Sequence, residues 1–373
     1  MKEKILFTSF QRNYVFNKIL LFLFLIYFCF PKISLTSVGG FDIRILDFIS
    51  IIIIMIAFTK IRISKDLFLL LSLFLIIQIS IGLYFSGIIS FLYVFRLFQY
   101  LLLGYSFYLL MISKYRNTFI KIFIIVQLSI CILQYLLIFP NYDPGRGGFV
   151  YSREISGTFG TPAEFAYFLI SFVAIFMGLN FIKHNFFIIP SFFSGVLFAT
   201  FLMFLSSFKR MIIFIPRMVM IFAPYFLLFS LVIYFVDFDI IKNAILNPGF
   251  ENSTLNRGES INPRQLDGPT TLLFRAAKFI DAFLYILNNL FVSLFGCGYG
   301  CVKGAMDSGI IRLLVEFGII FSLLIFFASK HIPKYTLFII ISVNFLFDAF
   351  WSSHVAPILF AGIFYSLHFK KIS

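Results

Sequence analysis

Long runs of apolar residues, separated by short polar or basic segments, dominate the pattern along this chain. A helix needs about 20 apolar residues to span a bilayer. We therefore predict eleven spans, at 17–36, 45–59, 67–86, 90–112, 118–139, 162–182, 188–206, 211–236, 308–328, 335–350 and 355–369. The predicted fold class is an all-α polytopic integral membrane protein with about 11–12 transmembrane helices and one long external loop, forming a single membrane domain over residues 1–373.

Composition supports this class. Hydrophobic residues make up 61% of the chain and charged residues 12%, against about 25% charged in a soluble domain. The formal net charge of +14 does not indicate a nucleic-acid partner, because Lys and Arg collect in the cytoplasmic loops of membrane proteins.

Basic residues are unevenly shared between the two sides that the alternating spans define. Fifteen lie on one side: Lys2, Lys4, Arg12, Lys18, Lys60, Arg62, Lys65, Lys114, Arg116, Lys121, Lys183, Lys330, Lys334, Lys370 and Lys371. The short loops of the other side hold four, which are Lys32, Arg44, Arg146 and Arg153. We predict that the first side is cytoplasmic and that it holds both termini.

The number of spans conflicts with this orientation, because two termini on one side require an even number of crossings. Region 186–236 is the least regular, since its apolar run is interrupted by Pro190, Gly195, Lys209, Arg210, Pro216, Arg217 and Pro224. Two shorter helices there would give twelve crossings, which we favour. The alternative is a span at 276–295, but its Lys, Asp and two Asn residues favour an interfacial helix.

Two outer loops are predicted. The first, at 140–161, is rich in Gly, Pro and Arg, and the second, at 237–307, is the only long hydrophilic region of the chain. The interfacial helix near 276–295 belongs to the second loop.

Ionisable residues within spans are costly and are therefore candidates for function. Arg312 and Glu316 are four apart and share a helix face, so they either neutralise each other or serve a site. Arg96 lies inside the 90–112 span, where it either faces the bundle or extends to the surface. Asp348 and His354 lie at an outer membrane edge, and we interpret His354 as structural.

A set of arginines is predicted to lie on the outer face: Arg146, Arg153, Arg210, Arg257, Arg264 and Arg275. The planar guanidinium group suits phosphate, to which it donates two parallel hydrogen bonds. Such a set fits a lipid-linked diphosphate. It fits equally well ion pairs within the loops or contacts with ordinary phospholipid headgroups.

Several enzyme classes lack their motifs in this chain. The sequence contains no GxxxxGK[ST], no HExxH and no GxSxG. Cys297 and Cys301 are four apart but have no further ligands beside them, and we interpret the cysteines as small residues tolerated in apolar segments. No metal or other cofactor is predicted.

Three segments carry more specific patterns: SGTFGTPAEFA at 156–166, SSFKR at 206–210, and LFGCGYG at 294–300 followed by DSG at 307–309 and LVEFGII at 314–320. They resemble, in this order, the GTF-x-NPN-x-x-A entry to a span, the SR segment at an outer helix end, and the FGxG, DSG and LxxxGI pattern of the O-antigen and capsular repeat-unit polymerases. This group shares a fold with the O-antigen ligases. Thr161 and Ala163–Glu164 depart from the two Asn positions, and Phe-Lys is inserted in the SR segment. In the ligases a His commonly stands near the position of Asp307, so its absence here favours a polymerase.

A further similarity is the pattern of Arg followed by Gly eleven positions later, which some members carry in two periplasmic loops. Here Arg146 precedes Gly157 and Arg257 precedes Gly268 at that spacing.

The resemblance implies polymerisation of lipid-linked oligosaccharide repeat units into a surface polysaccharide, either O-antigen or capsule. The growing chain would pass from polyprenyl diphosphate to the next repeat at the outer face of the bacterial cytoplasmic (inner) membrane. The protein would be a metal-independent glycosyltransferase, because a diphosphate leaving group needs charge stabilisation above all. Its partners would be the polyprenyl-diphosphate-linked oligosaccharide and the lipid bilayer, with a chain-length regulator and a flippase as further candidates.

The residues assigned to this reaction fall into two groups. The predicted catalytic residues are Asp307 and Glu316 as general-base candidates and Arg210 and Arg275 for diphosphate binding. The predicted substrate-binding residues are Arg96, Arg146, Arg153, Gly157, Arg257, Arg264, Gly268, Gly296 and Gly298. Two alternatives stay open: an O-antigen ligase, and a transporter that flips lipid-linked oligosaccharide.

Overall fold

The structure, a computed structural model, is mostly helical and contains two short β-hairpins. It describes residues 14–38, 41–58, 65–143, 148–151, 155–159, 161–177, 189–190, 196–235, 279, 282–302, 308–345 and 347–370.

The first half of the described chain contains six helices and both hairpins. The helices are α1 (Tyr14–Cys29), α2 (Ile45–Phe58), α3 (Lys65–Ser86), α4 (Ile89–Met111), α5 (Arg116–Tyr135) and α6 (Pro162–Phe172), which a π-helical turn at Val173–Met177 extends. Antiparallel hairpins are formed by β1 (Ser34–Val38) with β2 (Phe41–Arg44) and by β3 (Asn141–Asp143) with β4 (Gly148–Val150). The hairpins lie where the sequence predicts loops or the end of a span.

The second half adds seven named helices: α7 (Leu197–Ser206), α8 (Lys209–Phe214), α9 (Arg217–Phe235), α10 (Leu290–Phe295), α11 (Gly309–Ser329), α12 (Lys334–Phe345) and α13 (Val355–Lys370). A 3-10 turn at Ala349–Trp351 separates the last two. The predicted interfacial helix is interrupted within the described part, where residues 282–288 and α10 are helical and Asn289 caps α10.

Two described helices, α4 and α5, are long and apolar enough to cross a membrane. Six shorter apolar helices have 10–17 residues: Val15–Cys29, Ile45–Phe58, Leu73–Ser86, Pro162–Met177, Lys334–Phe345 and Val355–His368.

Phenylalanine fills the centre of the bundle. The largest fully buried side chains include Phe24, Phe28, Phe107, Phe119, Phe123, Phe168 and Phe172, which come from α1, α4, α5 and α6. The Phe28 and Phe107 rings meet edge to face with centroids 5.2 Å apart, an arrangement that adds about 0.5–1.5 kcal/mol to the burial of the rings.

Helices α4 and α13 approach each other closely at Gly104. A Cβ atom on this residue would lie 2.6 Å from the Phe360 Cβ and 2.8 Å from the Pro357 carbonyl oxygen. Glycine at this position therefore permits the contact around which the bundle packs.

Charged residues gather at two opposite ends of the bundle, which α11 connects along its length. Near the start of α11, at what we term the polar end, Arg312 is bonded to Glu316 and Asp348. Beyond its last residue, at what we term the basic end, the carbonyls of Lys330 and Ile332 accept hydrogen bonds from Arg217. Kinked backbone at Gly318, with φ of +69°, divides α11 between these ends.

Helix α8, which carries Arg210, lies at the basic end. Lys334 Nζ donates to the carbonyl oxygen of Ile213 at 2.9 Å, and Lys209 Nζ lies 5.2 Å from the centroid of the Tyr335 ring. Arg210 and Lys334, which we predicted to lie on opposite sides, thus lie at the same end. We correct the assignment of Arg210 to the outer face, because its neighbours pack against the loop that follows α11.

The chain changes ends between α6 and α7. The Phe176 carbonyl accepts from Arg116, whose guanidinium also contacts Tyr365. The Phe198 ring instead lies 5.9 Å from that of Phe345, at the far end of α12. One passage between Phe176 and Phe198 adds to the eleven predicted spans and makes their number even, as the favoured count of twelve requires.

Candidate functional site

The polar end contains a layer of buried ionisable side chains, which we term the charged layer. Its members are Lys32, Arg44, Asp47, Arg96, Glu164, Arg312, Glu316, Asp348 and His354. Burying so many charges is costly unless they are paired or used, so the layer is the candidate site.

Glu164 is positioned by the start of α6. Thr161 caps the helix by accepting a hydrogen bond from the Glu164 backbone N–H at 3.1 Å, and Pro162 occupies the first helical position. Both residue types favour a helix start at these positions. The carboxylate therefore emerges from the first turn of α6 into the polar end.

Three elements meet at the Glu164 carboxylate. Its Oε1 lies 3.6 Å from Lys32 Nζ, beyond α1, and 3.3 Å from His354 Nδ1, just before α13. The Ser352 hydroxyl donates to the same oxygen. Burial lowers the pKa of His354, and the nearby Glu164 carboxylate opposes this shift without cancelling it. The imidazole is accordingly neutral near pH 7, with Nδ1–H donating to Glu164.

Arg96 joins α4 to the first hairpin and to α2. Its guanidinium donates to Asp47 Oδ2 at 2.7 Å and to the carbonyl of Asp42. It also lies 3.8 Å from the centroid of the Phe41 ring. Arg96 faces the bundle rather than the surface, and this ion pair occupies it.

Arg312 forms the third group of the layer. Its Nε is 3.1 Å from Glu316 Oε1, its Nη1 is 3.1 Å from Asp348 Oδ2, and its Nη2 donates to the Val302 carbonyl at 2.8 Å. The guanidinium stacks 4.6 Å from the Trp351 ring. Of the two interpretations open for Arg312 and Glu316, the geometry favours mutual neutralisation.

Several buried donors of the charged layer have no hydrogen-bond partner among the described residues. They are Arg44 Nε and Nη1, the Tyr100 hydroxyl and His354 Nε2. Tyr100 interacts electrostatically with Arg96, Arg44 and Glu164, so these groups lie near one another. Since native proteins satisfy most buried polar groups, this part of the layer is suited to an anionic ligand or to water.

The predicted glycines serve the packing of the chain on itself. Gly296 and Gly298 have φ values of +80° and +85°. A Cβ atom on Gly296 would lie 2.1 Å from the Glu316 carbonyl oxygen, and one on Gly298 would lie 2.4 Å from Gly82 Cα. Gly157, with φ of +58°, sits in a buried turn that Gln134 holds at both its N–H and its carbonyl. Their backbone therefore meets other helices instead of an open surface.

The same turn contains Cys297 and Cys301, which the structure joins in a disulfide with Cα atoms 5.9 Å apart. Our interpretation of these two as unpaired small residues was wrong. The spacing of four residues was the available signal.

Most of the other predicted site residues lie outside the described residues. These are Asp307, Arg275, Arg146, Arg153, Arg257, Arg264 and Gly268, while only the backbone of Arg210 is described. Sequence reasoning used Lys32 and Arg44 only to orient the spans and treated Glu164 as a departure from a motif. A carboxylate in the first turn of a predicted span, opposite a Lys in the preceding outer loop, was the signal that it did not use.

Comparisons with known proteins add no relative: no family model, curated protein or solved structure matches this chain. Within the described part of the chain, no group of three or more His, Cys, Asp or Glu side chains could hold a metal ion.

Proposed function

We propose that the chain is a polytopic membrane protein with twelve crossings and both termini in the cytoplasm. Support comes from the outside of the bundle, where large apolar side chains are exposed on helix after helix. They include Phe22, Met55, Ile76, Ile125, Phe214 and Phe226, with Phe214 83% exposed. Water-soluble proteins rarely expose so much contiguous apolar surface, whereas lipid tails would cover it.

We further propose that it polymerises lipid-linked oligosaccharide repeats at the outer membrane face. The observation that carries this proposal is the set of buried donors on Arg44 and Tyr100, which are unpartnered among the described residues. They lie at the end that the orientation prediction assigns to the outer face. A diphosphate offers the acceptors and the negative charge that such donors need.

In this scheme the charged layer stabilises the leaving group. Arg44 would donate to the polyprenyl diphosphate as the glycosidic oxygen departs, with Lys32 adding positive charge nearby. Glu316 is withdrawn as general base because Arg312 holds its Oε1. Asp307 stays the proposed base for the acceptor hydroxyl, and the arginines of the two outer loops stay proposed substrate contacts.

The experiment is to complement a strain that lacks the protein with Arg44→Ala, Arg44→Lys or Lys121→Ala. Lys121 is an exposed cation on α5 and controls for loss of one positive charge. Expression and monodispersity in detergent are checked for each. Removing one preorganised donor to a developing anion typically costs about 10²–10³ in rate, so Arg44→Ala should reduce the glycan ladder to single repeats. Arg44→Lys should restore part of it, and Lys121→Ala should match the wild type. A normal ladder from Arg44→Ala would refute the assignment.

The transporter alternative draws on a different observation, the buried chain of Lys32, Glu164 and His354. Ionisable groups within a helical bundle are also typical of carriers. In that case Arg44→Ala would leave lipid-linked repeats on the cytoplasmic side instead of single repeats at the surface.

A further inference from the structure

The basic end carries a cluster of cations that come from three neighbouring segments. Lys209 belongs to α8, Arg217 begins α9, and Lys330 and Lys334 flank the turn between α11 and α12. Among the described side chains, none of the four forms an ion pair with a carboxylate. The cluster therefore keeps its full positive charge.

Backbone contacts hold two of these cations in place. Arg217 donates to the carbonyls of Lys330 and Ile332, and its buried Nε has no hydrogen-bond partner among the described residues. Lys334 donates to the carbonyl of Ile213 at 2.9 Å. Lys209 and Lys330 are exposed. The arrangement presents a fixed cation and an unused donor beside two mobile lysine side chains, which suits a phosphate group.

Exposed apolar side chains lie directly beside these cations in the chain. Met211, Phe214 and Met218, from α8 and the first turn of α9, are 67%, 83% and 58% exposed. A water-soluble anion would leave this apolar surface uncovered. A molecule that combines a negative headgroup with hydrocarbon chains would cover both parts of the surface.

We propose that this surface, formed by Lys209, Arg217, Lys330 and Lys334 with Met211, Phe214 and Met218, binds an anionic phospholipid. The phosphate lies against the cations, and an acyl chain lies along the apolar side chains. The site rests on the membrane location in the proposed function and is independent of polymerase activity. A zwitterionic lipid, whose ammonium group meets the same cations, binds more weakly.

Native mass spectrometry of the detergent-purified full chain, titrated with phosphatidylglycerol or phosphatidylcholine, tests this site. Each exposed lysine near an anionic lipid contributes roughly fivefold in affinity, so Lys209→Gln and Lys330→Gln together should weaken phosphatidylglycerol binding by about 25-fold. The matched charge change Lys121→Gln, on a helix that packs against α1, should weaken it less than twofold. Both lysines are exposed, and elution as a monodisperse species confirms that the variants fold.

Three results would overturn the site: equal binding of the two lipids by wild type, a double variant within twofold of wild type, or an equal loss in Lys121→Gln. Because the readout is lipid binding, a protein that selects phosphatidylglycerol but makes no polymer would refute the proposed activity alone. A polymerase without this selectivity would refute the lipid site alone.

Discussion

Replacing Glu164 by Gln is expected to destabilise the bundle, and adding Lys32→Met is expected to restore most of the loss. In the structure the Glu164 carboxylate is 3% exposed and the Lys32 side chain 16% exposed, with 3.6 Å between their charged atoms. Glu164→Gln retains an oxygen for the Ser352 hydroxyl but removes the negative charge. Lys32 is then left buried near the like charges of Arg44 and Arg96.

The size of the effect follows from the burial of the pair. Removing one partner of a buried ion pair costs about 3–5 kcal/mol, whereas replacing both partners by uncharged groups is often neutral. Since Lys32 is not fully buried, we expect about 3 kcal/mol for Glu164→Gln. With an unfolding entropy of about 2.1 cal/mol/K per residue, this corresponds to a Tm lower by about 4 °C for the whole chain.

The assay is a double-mutant cycle in detergent, in which the fraction of monodisperse protein is followed after heating. The four species are wild type, Glu164→Gln, Lys32→Met and the double variant, with Lys121→Met as the exposed-lysine control. A coupling of about 2–3 kcal/mol is expected between the two positions. If the double variant loses as much as the two single variants summed, Lys32 and Glu164 are not paired, and the charged layer is wrong at its centre.

Three further predictions concern the packing and titration of the bundle. Gly296→Ala should prevent folding or cost well over 2 kcal/mol, because its Cβ meets a backbone carbonyl at 2.1 Å; Gly87→Ala, with φ of +65° but nothing within 4 Å, should cost only about 1 kcal/mol, and equal yields of the two proteins would contradict this. Phe28→Ala should cost about 3–5 kcal/mol, whereas Phe22→Ala, at a side chain that is 63% exposed, should leave Tm nearly unchanged; comparable losses would show that the Phe28 cluster is not the core. Because the pKa of His354 is lowered by burial, wild type should lose stability as the pH falls below about 6.5, where the unfolded imidazole takes up a proton and the folded one does not, by up to about 1.4 kcal/mol per pH unit; His354→Gln should show a shallower pH dependence of Tm, and an unchanged slope would refute the shift.

Hydropathy predicted where most of the helices lie, because burial in lipid or in an apolar core requires the same runs of residues. The helices α4 and α5 fall within a few residues of their predicted bounds. The predicted span at 335–350 ends earlier, at Phe345, since the chain turns there toward the 3-10 segment at Ala349–Trp351. Apolar residues in that turn extended the hydropathy signal beyond the helix.

The charged layer could not be predicted from local pattern, because its contacts join distant parts of the chain. His354 and Glu164 are 190 positions apart, and Arg96 and Asp47 are 49 apart. Sequence spacing identified the one pair that shares a helix, Arg312 with Glu316. The error at Arg210 has the same origin, since the end at which α8 lies depends on its packing against the loop after α11.

The proposed activity is tested most directly by the surface glycan of a strain that lacks this chain. The account predicts that the glycan ladder is reduced to the core with one repeat, since single repeats still reach the surface but are no longer joined. Long polymer that is unattached would indicate a ligase. Complete loss of surface glycan, with lipid-linked repeats retained inside the cell, would contradict polymerisation and indicate a flippase.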